Sequence, residues 1–288
     1  MLNVSGRYAN RPDLPGRAGN EGVGRVLAVG ADVDVLVVGD RVMMPARENW
    51  VEQRLVGAKT VIKLPSDGDV LQLSLLRICP ATASLLLSEM VTLDEGDWLV
   101  QNAANSAVGR LLIQMAQEKG IRTANVVRRD GVADSLHALG ADLVILDGDD
   151  LAERVRATIG DGRVALAVDA VSGDATMRMA KCLTDGGMLV NHGLLSGAPV
   201  KVDYHELVFR GITVRGFWLS KELQRIGVAR TLAFYQSLAE RVVGGELHTE
   251  VEASYSLSDA KVALEHASRE ARGGKIIFSI SNYGESRD

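Results

Sequence analysis

Small and amide side chains fill the segment where an apolar run passes into a helical pattern, which reads Asn102-Ala103-Ala104-Asn105-Ser106-Ala107-Val108-Gly109. At such a turn the free N–H groups and the positive end of a helix can meet a phosphate, and small side chains let the backbone approach it. The segment is not a full G-x-G-x-x-G motif, because Ser106 and Ala107 stand where glycine is commoner. By itself it fits a phosphate-binding turn and an ordinary tight turn equally well.

Two arginines, Arg128 and Arg129, end the next apolar run, and Asp130 follows them. Roughly 20 residues past a phosphate-binding turn, a carboxylate binds the ribose 2′-hydroxyl of NAD, whereas arginine accommodates the 2′-phosphate of NADP. Two guanidinium groups suit a phosphate, which accepts paired charge-assisted hydrogen bonds. The alternative is that both arginines are solvated side chains at a strand end. The pair predicts NADPH in preference to NADH.

Six short apolar, β-branched runs must position these residues, and they begin near positions 98, 123, 142, 164, 188 and 212. Helical patterns fill most of the intervals. After the first run, one apolar helix face precedes a capping Gly120, and it comprises Val108, Leu111, Leu112, Met115 and Ala116. Strands that are apolar on both faces and alternate with amphipathic helices form a parallel sheet covered on both sides. We predict an α/β fold with a doubly wound, six-stranded parallel Rossmann sheet in a dinucleotide-binding domain of residues 77–225.

The flanking segments have a different pattern. From Gly19 to Val42 glycines alternate with valine-rich pieces, which predicts short antiparallel strands joined by tight turns, and residues 50–56 and 60–64 continue that pattern. The tail predicts a strand in EASYSL, a helix over Ser258–Ala271 and a last strand in KIIFSI. We therefore predict that residues 1–76 and 226–288 form one β-rich domain that the dinucleotide-binding domain interrupts.

Composition narrows the function classes. The chain has 288 residues, with 37 acidic and 32 basic side chains and a net charge of −5, which argues against a nucleic-acid or anionic-membrane partner. It has no uninterrupted apolar run of about 18 residues, the length that a membrane helix needs. Two cysteines cannot build a disulfide framework or a zinc cluster. We expect a cytoplasmic protein with a small-molecule substrate.

Motifs spread over essentially the whole chain resemble one superfamily. G-x-E-x-x-G-x-V-x-x-V-G spans residues 19–30, G-D-R-V spans 39–42, P-x-T-A spans 80–83 and L-x-x-G-D spans 93–97. In this order they resemble the medium-chain dehydrogenase/reductase superfamily, whose members join a GroES-like catalytic domain to a Rossmann domain. GRY at 6–8, QNAANSAVG at 101–109 and RGFWLS at 215–220 are similar to the zinc-independent, mitochondrial-type trans-2-enoyl-thioester reductases.

The resemblance implies a reaction and a set of site residues. The family reduces the double bond of a 2-enoyl thioester with hydride from NADPH, and Tyr8 matches its proton-donating tyrosine. The cofactor contacts that carry over are Asn105, Ser106, Ala107 and Val108 at the pyrophosphate, Arg128 and Arg129 at the 2′-phosphate, His192, Gly193, Leu194, Leu195, Phe217, Trp218 and Leu219 at the nicotinamide end, and Lys275 in the last strand. The alternatives are that Tyr8, Phe217 and Trp218 are aromatic residues with only a packing role, and that Lys275 is an exposed lysine in a strand. The family also implies a homodimer, paired through the last strand of the dinucleotide-binding domain.

Three departures from related patterns matter. Zinc-dependent relatives carry a histidine before the glutamate of the first motif, but Asn20 precedes Glu21 here, and the five histidines show no ligand spacing; we predict no metal. Cys79 stands where the family has an asparagine near the substrate, and a thiol is a weaker hydrogen-bond partner. The chain also begins almost at GRY, so we expect a GroES-like domain that is incomplete at its N-terminus, from a truncated gene product or in a protein of impaired activity.

Two other functions fit the same residues. A quinone or enone/alkenal reductase of the superfamily also transfers hydride from NADPH to a conjugated acceptor, and Cys79 favours it. A non-catalytic NADPH-binding protein would keep the dinucleotide site without turnover.

Overall fold

The computed structural model describes residues 15–280 together with Gly6 and Asp13, so Tyr8 lies outside the described residues. The chain divides into two compact units, Met1–Ile78 with Leu232–Asp288, and Cys79–Thr231. The functional domain boundaries at 76/77 and 225/226 stay a prediction.

The amino-terminal part of the first unit is a small antiparallel sheet. Its strands are β1 (Val23–Arg25), β2 (Arg41–Met43) and β3 (Ile62–Lys63), in the order β1-β2-β3, with a 3-10 turn at Ala58–Thr60. Helix α1 (Val70–Ser74) follows, and the Asp69 carboxylate caps it by accepting a hydrogen bond from the Leu71 N–H at 2.7 Å. The sheet packs on a small core of Leu36, Val42 and Val61.

The prediction for residues 19–64 was partly wrong. Residues 26–40 form turns instead of paired strands, and Val35, Val37 and Val38 are about 60% exposed, since no second sheet of the described residues buries that side. Asp40 accepts a hydrogen bond from the Val37 N–H at 2.9 Å, which closes a turn where a strand was expected. Residues 50–56 contain no strand either. There the Arg54 guanidinium donates to the Arg47 carbonyl at 2.6 Å, so a side chain organises the segment in place of a strand ladder.

The second unit alternates helices and strands. In chain order they are α2 (Cys79–Glu89), β4 (Trp98–Asn102), α3 (Ala107–Glu118), β5 (Arg122–Val127), α4 (Ala133–His137), β6 (Leu143–Leu146), α5 (Leu151–Ile159), β7 (Val164–Asp169), α6 (Asp174–Cys182), β8 (Met188–Asn191), a π-helical turn at His205–Phe209, β9 (Thr213–Gly216) and α7 (Leu219–Ile226). Helix α8 (Val228–Val243) runs from this unit into the first. All six strands predicted here are confirmed.

The six strands form one parallel sheet in the order β6-β5-β4-β7-β8-β9. Strands β4 and β7 are buried along their whole length, as expected for the middle of a doubly wound sheet. The predicted face of α3 packs inward through Leu111, Leu112 and Met115, and Gly120 follows the helix with a φ of +67°. The predicted α/β Rossmann class is confirmed. Chain order reverses between β4 and β7, and doubly wound sheets bind their ligands outside the carboxyl ends of the strands at such a point.

The tail returns to the first unit. It forms β10 (Val251–Tyr255), a 3-10 turn at Leu257–Asp259, α9 (Ala260–Ser268) and β11 (Lys275–Phe278), with β10 and β11 parallel. The helix ends at Ser268, three residues before the predicted Ala271, because the chain must turn back through Gly273 and Gly274. Their N–H groups donate to Glu252 at 2.5 and 3.1 Å. The rings of Trp50 and Phe278 meet edge to face at 4.9 Å, so both flanking segments contribute to this unit.

Within the described residues, every helix falls short of the length and apolarity that a membrane crossing requires.

Candidate functional site

The turn between β4 and α3 has a constrained backbone. Ala103 adopts a left-handed φ of 47°, and the Ser106 hydroxyl caps α3 by accepting a hydrogen bond from the Gly109 N–H at 3.2 Å. A Cβ on Gly109 would lie 2.5 Å from the Ala104 carbonyl oxygen, so only glycine fits where helix and strand end approach so closely. The first N–H groups of α3 have no acceptor within the helix. The start of α3 therefore offers N–H groups that can bind an anion such as the pyrophosphate of a dinucleotide.

Both predicted arginines lie beside that turn. The Ala104 N–H donates to the Val126 carbonyl at 3.3 Å, which ties the turn to the end of β5. Arg128 and Arg129 are exposed, and together with Asn105, Val127 and Val132 they line a small concavity. Two exposed guanidinium groups at a polar concavity fit a phosphate that carries two negative charges.

A buried carboxylate joins the ends of the three central strands β4, β7 and β8, and no pattern in the sequence indicated it. Asp169 is fully buried and accepts hydrogen bonds from Asn102 Nδ2 at 2.6 Å, Thr176 Oγ1 at 2.6 Å, Asn191 Nδ2 at 2.9 Å and the Ser172 N–H at 3.0 Å. Burial by itself raises the pKa of Asp169, but these hydrogen bonds outweigh it and hold the pKa below its ordinary value. The carboxylate is therefore ionised at neutral pH. The sequence analysis assigned no role to Asp169, which directly follows the apolar run at residues 164–168.

The segment His192–Leu195 follows β8 and lies against the end of β7. The His192 N–H donates to the Asp169 carbonyl at 2.9 Å, and the Leu195 N–H donates to the Ala170 carbonyl at 3.1 Å. A Cβ on Gly193 would meet the Ala170 carbonyl oxygen at 2.5 Å, so this approach also requires glycine. Burial lowers the pKa of His192 to about 4 against the opposing attraction of Asp169. The imidazole is neutral at pH 7 and can act only as a neutral donor or acceptor.

The residues Phe217–Leu219 leave β9 at the same edge of the sheet. The Phe217 N–H donates to the Asn191 carbonyl at 2.8 Å, which places this segment beside the end of β8, and the Phe217 side chain is buried. Trp218 precedes α7, and the Lys221 ammonium lies 5.7 Å from its ring centre. The structure thus brings the predicted residues of the second unit to the carboxyl edge of one parallel sheet.

Lys275 lies in the first unit, at the start of β11, where its N–H donates to the Glu250 carbonyl at 2.7 Å. Glu21 of the same unit is a charged residue that sequence reasoning used only as a family marker. Burial raises its pKa, while Lys275, the Ile78 N–H and Arg77 oppose that shift. Its Oε2 atom is buried and has no hydrogen-bond partner in the described structure. The motif at residues 19–30 contains Glu21, but it does not predict that this side chain is buried beside Lys275. That burial depends on chain segments that lie far apart in the sequence.

Metal-ligating side chains do not gather in the described part of the chain, where no three of His, Cys, Asp and Glu lie close enough to hold an ion. The absence of a resident metal stays a prediction. Cys79 begins α2 and is buried.

Comparison with known proteins supports the fold that the structure shows. The zinc-binding dehydrogenase family matches residues 107–234, and the alcohol dehydrogenase GroES-like domain matches residues 2–67. The mitochondrial enoyl-[acyl-carrier-protein] reductase of Dictyostelium discoideum is 32% identical over 286 residues, which are 96% of this chain and 81% of that protein.

Two solved structures are similar over most of both chains. A putative NADPH:quinone reductase from Bacillus thuringiensis is 29% identical with a TM-score of 0.87, covering 96% of this chain and 84% of its own. The Etr1p/NADP/crotonyl-CoA complex is 23% identical with a TM-score of 0.82, covering 93% and 84%, a likeness of fold.

The fold and these matches define an oxidoreductase with a nucleotide-binding Rossmann sheet. The chain belongs to the medium-chain dehydrogenase/reductase superfamily, in the family of the enoyl-[acyl-carrier-protein] and quinone reductases, whose cofactor is NADPH.

Proposed function

We propose that this protein uses NADPH to reduce the carbon–carbon double bond of 2-enoyl thioesters. One observation carries the proposal: the small-residue turn, the arginine pair and the segments after β8 and β9 meet at the carboxyl edge of one sheet. The family assignment supplies the reaction class, since the curated relative at 32% identity is an enoyl-[acyl-carrier-protein] reductase.

The cofactor roles follow from this edge. The N–H groups of Ala107 and Val108, with the side chains of Asn105 and Ser106, bind the pyrophosphate, and Arg128 and Arg129 bind the 2′-phosphate. His192–Leu195 and Phe217–Leu219 hold the nicotinamide end, and Lys275 keeps the cofactor-contacting role that its position in the family implies. Gly109 and Gly193 let these segments pack closely on neighbouring backbone, since a Cβ at either position would lie 2.5 Å from a carbonyl oxygen.

The reaction needs a hydride and a proton. NADPH, when bound, supplies the hydride that adds to the β-carbon of the thioester. Negative charge then develops on the thioester oxygen, and placed hydrogen-bond donors that stabilise such charge are a large part of catalysis. We assign the donor role to Tyr8, because the phenol of a tyrosine ordinarily has a pKa of about 10 and is then protonated at neutral pH. It stabilises the oxygen or delivers the proton to the α-carbon.

A second candidate is NADPH:quinone or enone/alkenal reduction. The similar putative quinone reductase of Bacillus thuringiensis and the thiol at Cys79 favour it. A protein that binds NADPH without turnover is the third candidate.

The deciding experiment measures NADPH consumption with crotonyl-CoA and with a quinone, for wild type, Tyr8→Phe and Tyr204→Phe. Tyr204 is 69% exposed on the second unit and serves as the matched control. We expect turnover of crotonyl-CoA, a drop of about 100-fold in kcat for Tyr8→Phe, in the range of general acid–base catalysis, and wild-type rates for Tyr204→Phe. Faster turnover of the quinone selects the second candidate, and NADPH binding without any turnover selects the third.

We also propose that two copies pair through β9. This strand is at the edge of the sheet, and the turn that precedes it exposes Val208 and Phe209 at 69% each. An unpaired strand edge beside exposed apolar side chains is a surface that a second copy can cover. Light scattering after size-exclusion chromatography should give twice the chain mass for wild type and for Val228→Asp, a control residue that is 88% exposed. Val208→Asp should give one chain mass; a monomeric wild type would contradict the proposal.

A cytoplasmic location stays our prediction, although the curated relative is named mitochondrial. Cell fractionation with an antibody to this chain decides between the two compartments.

A further inference from the structure

We propose that Asp169 is a positioning residue, which fixes the segment His192–Leu195 where it meets the nicotinamide end of the cofactor. The expected effect on catalysis rests on the proposed function. The expected effect on the position of the segment does not, because it involves only hydrogen bonds within this chain.

A short chain of hydrogen bonds leads from the carboxylate to the segment. Asp169 Oδ2 accepts from Asn191 Nδ2 at 2.9 Å, and Ser172 Oγ at 2.9 Å and the Gly193 carbonyl at 3.1 Å share the second N–H of the same amide group. The Ser172 hydroxyl also donates to the Gly193 carbonyl at 2.9 Å, while the Ser172 N–H is held by Asp169 Oδ1 at 3.0 Å. Both groups that fix the Gly193 carbonyl are therefore bound to one carboxylate.

The rest of the segment is held through its backbone. The His192, Leu195 and Ser196 N–H groups donate to the carbonyls of Asp169, Ala170 and Val171 at 2.9 to 3.1 Å. Those carbonyls belong to the last residue of β7 and to the loop after it, which the carboxylate organises. A shift of this loop would carry the whole segment with it.

Replacing Asp169 by asparagine separates this role from simple burial. The new side chain keeps its oxygen toward Asn102 Nδ2 and the Ser172 N–H. The opposite orientation of the amide would bring its NH2 group against those two donors. Its NH2 group replaces Oδ2, and it then faces the NH2 group of Asn191, so two donors meet. The Thr176 hydroxyl can rotate to accept. Asp169→Asn thus breaks the link to the His192–Leu195 segment and leaves the Asn102 side in place.

Thr176→Val is the matched control. The Thr176 hydroxyl donates to the same Oδ2 atom at 2.6 Å, but from α6. Its loss removes one buried hydrogen bond without touching Asn191. Both variants should lose similar thermal stability, so stability alone does not distinguish them.

The first readout is amide hydrogen exchange of residues 192–196 in the cofactor-free protein. Asp169→Asn should speed it by about 5-fold, the effect of one lost hydrogen bond, whereas Thr176→Val should match wild type. The second readout is kcat against the Kd for NADPH. We expect kcat to fall about 10- to 100-fold in Asp169→Asn, since small misplacements of reacting groups have effects of that size, with Kd near wild type.

Equal exchange or equal kcat in the two variants would overturn the inference and leave the proposed function standing. A wild-type protein that binds no NADPH would end the proposed function and the catalytic part of this inference, whereas the exchange result still decides the structural part.

Discussion

The two halves of the sheet's carboxyl edge use different means to form one site. At β4 and β5 the site consists of a tight backbone turn and two exposed arginines. At β7, β8 and β9 it consists of loops that a fully buried carboxylate and its amide and hydroxyl partners hold in place. Anions are bound well by exposed N–H groups and guanidinium groups, whereas placement of a reacting ring needs loops that cannot move. The comparison predicts that changes at the first half alter binding and changes at the second half alter turnover.

The largest effect is expected at Gly109. A methyl group there would lie 2.5 Å from a backbone carbonyl oxygen, which cannot move without shifting the turn. We expect Gly109→Ala to lower the free energy of unfolding by about 3 kcal/mol and to abolish measurable NADPH binding. Gly216→Ala is the control, since a Cβ there meets no atom within 4 Å. Urea unfolding and NADPH fluorescence titration measure both effects; equal behaviour of the two variants would contradict the assigned turn.

The next effect is a change of folding stability with pH, and it concerns the half of the edge at β7, β8 and β9. Burial lowers the pKa of His192 from its ordinary value of 6.5 to about 4, so the unfolded chain takes up a proton that the folded chain refuses. Stability is then complete above about pH 6.5 and falls by up to roughly 3 kcal/mol as the pH drops to about 4. The residue keeps a small exposed fraction, so the fall stays at or below that figure.

His192→Asn should flatten that part of the stability profile, while His205→Asn, at an imidazole that is 57% exposed, should leave it unchanged. Urea unfolding at pH 4.5, 5.5 and 7 tests this. Parallel profiles for wild type and His192→Asn would show that folding does not shift the pKa of this imidazole.

The smallest effect is expected at the arginine pair. It tests whether changes at the β4 and β5 half of the edge alter cofactor binding. Each guanidinium that binds a 2′-phosphate contributes about 2 kcal/mol, so Arg128→Gln should raise the KM for NADPH roughly 30-fold. The KM for NADH and kcat should change little, because NADH lacks the phosphate. Arg156→Gln, at an exposed arginine on α5, serves as the control. A parallel loss with both cofactors would place the 2′-phosphate elsewhere.

The regular elements of the second unit could be predicted because their patterns are local. Runs such as Val164–Asp169 and the helix face of Leu111 and Leu112 repeat with the period of the element they form, and the glycines end helices where a left-handed residue is needed. The β-rich flank was predicted less well. Its valines at 35, 37 and 38 belong to a valine-rich run of the kind that favours a strand, yet they stay about 60% exposed, and strand preference depends on packing and burial.

The candidate site also contains some features that could be predicted from the sequence and others that could not. The turn at residues 102–109 and the arginine pair could be predicted because each lies within a few residues along the chain. The network around Asp169 could not, since it joins residues 102, 169, 172, 176 and 191, and no sequence spacing shows that three strand ends will meet. The buried Oε2 atom of Glu21 beside Lys275 is a case of the same kind.

The sequence by itself determined the alternation of strands and helices, the small residues at the turn between β4 and α3 and the arginines after β5, because these depend on neighbours along the chain. The tertiary structure alone decided which polar groups became buried and charged. A carboxylate such as Asp169 stays ionised in the interior only when several donors converge on it, and those donors come from segments that folding brings together.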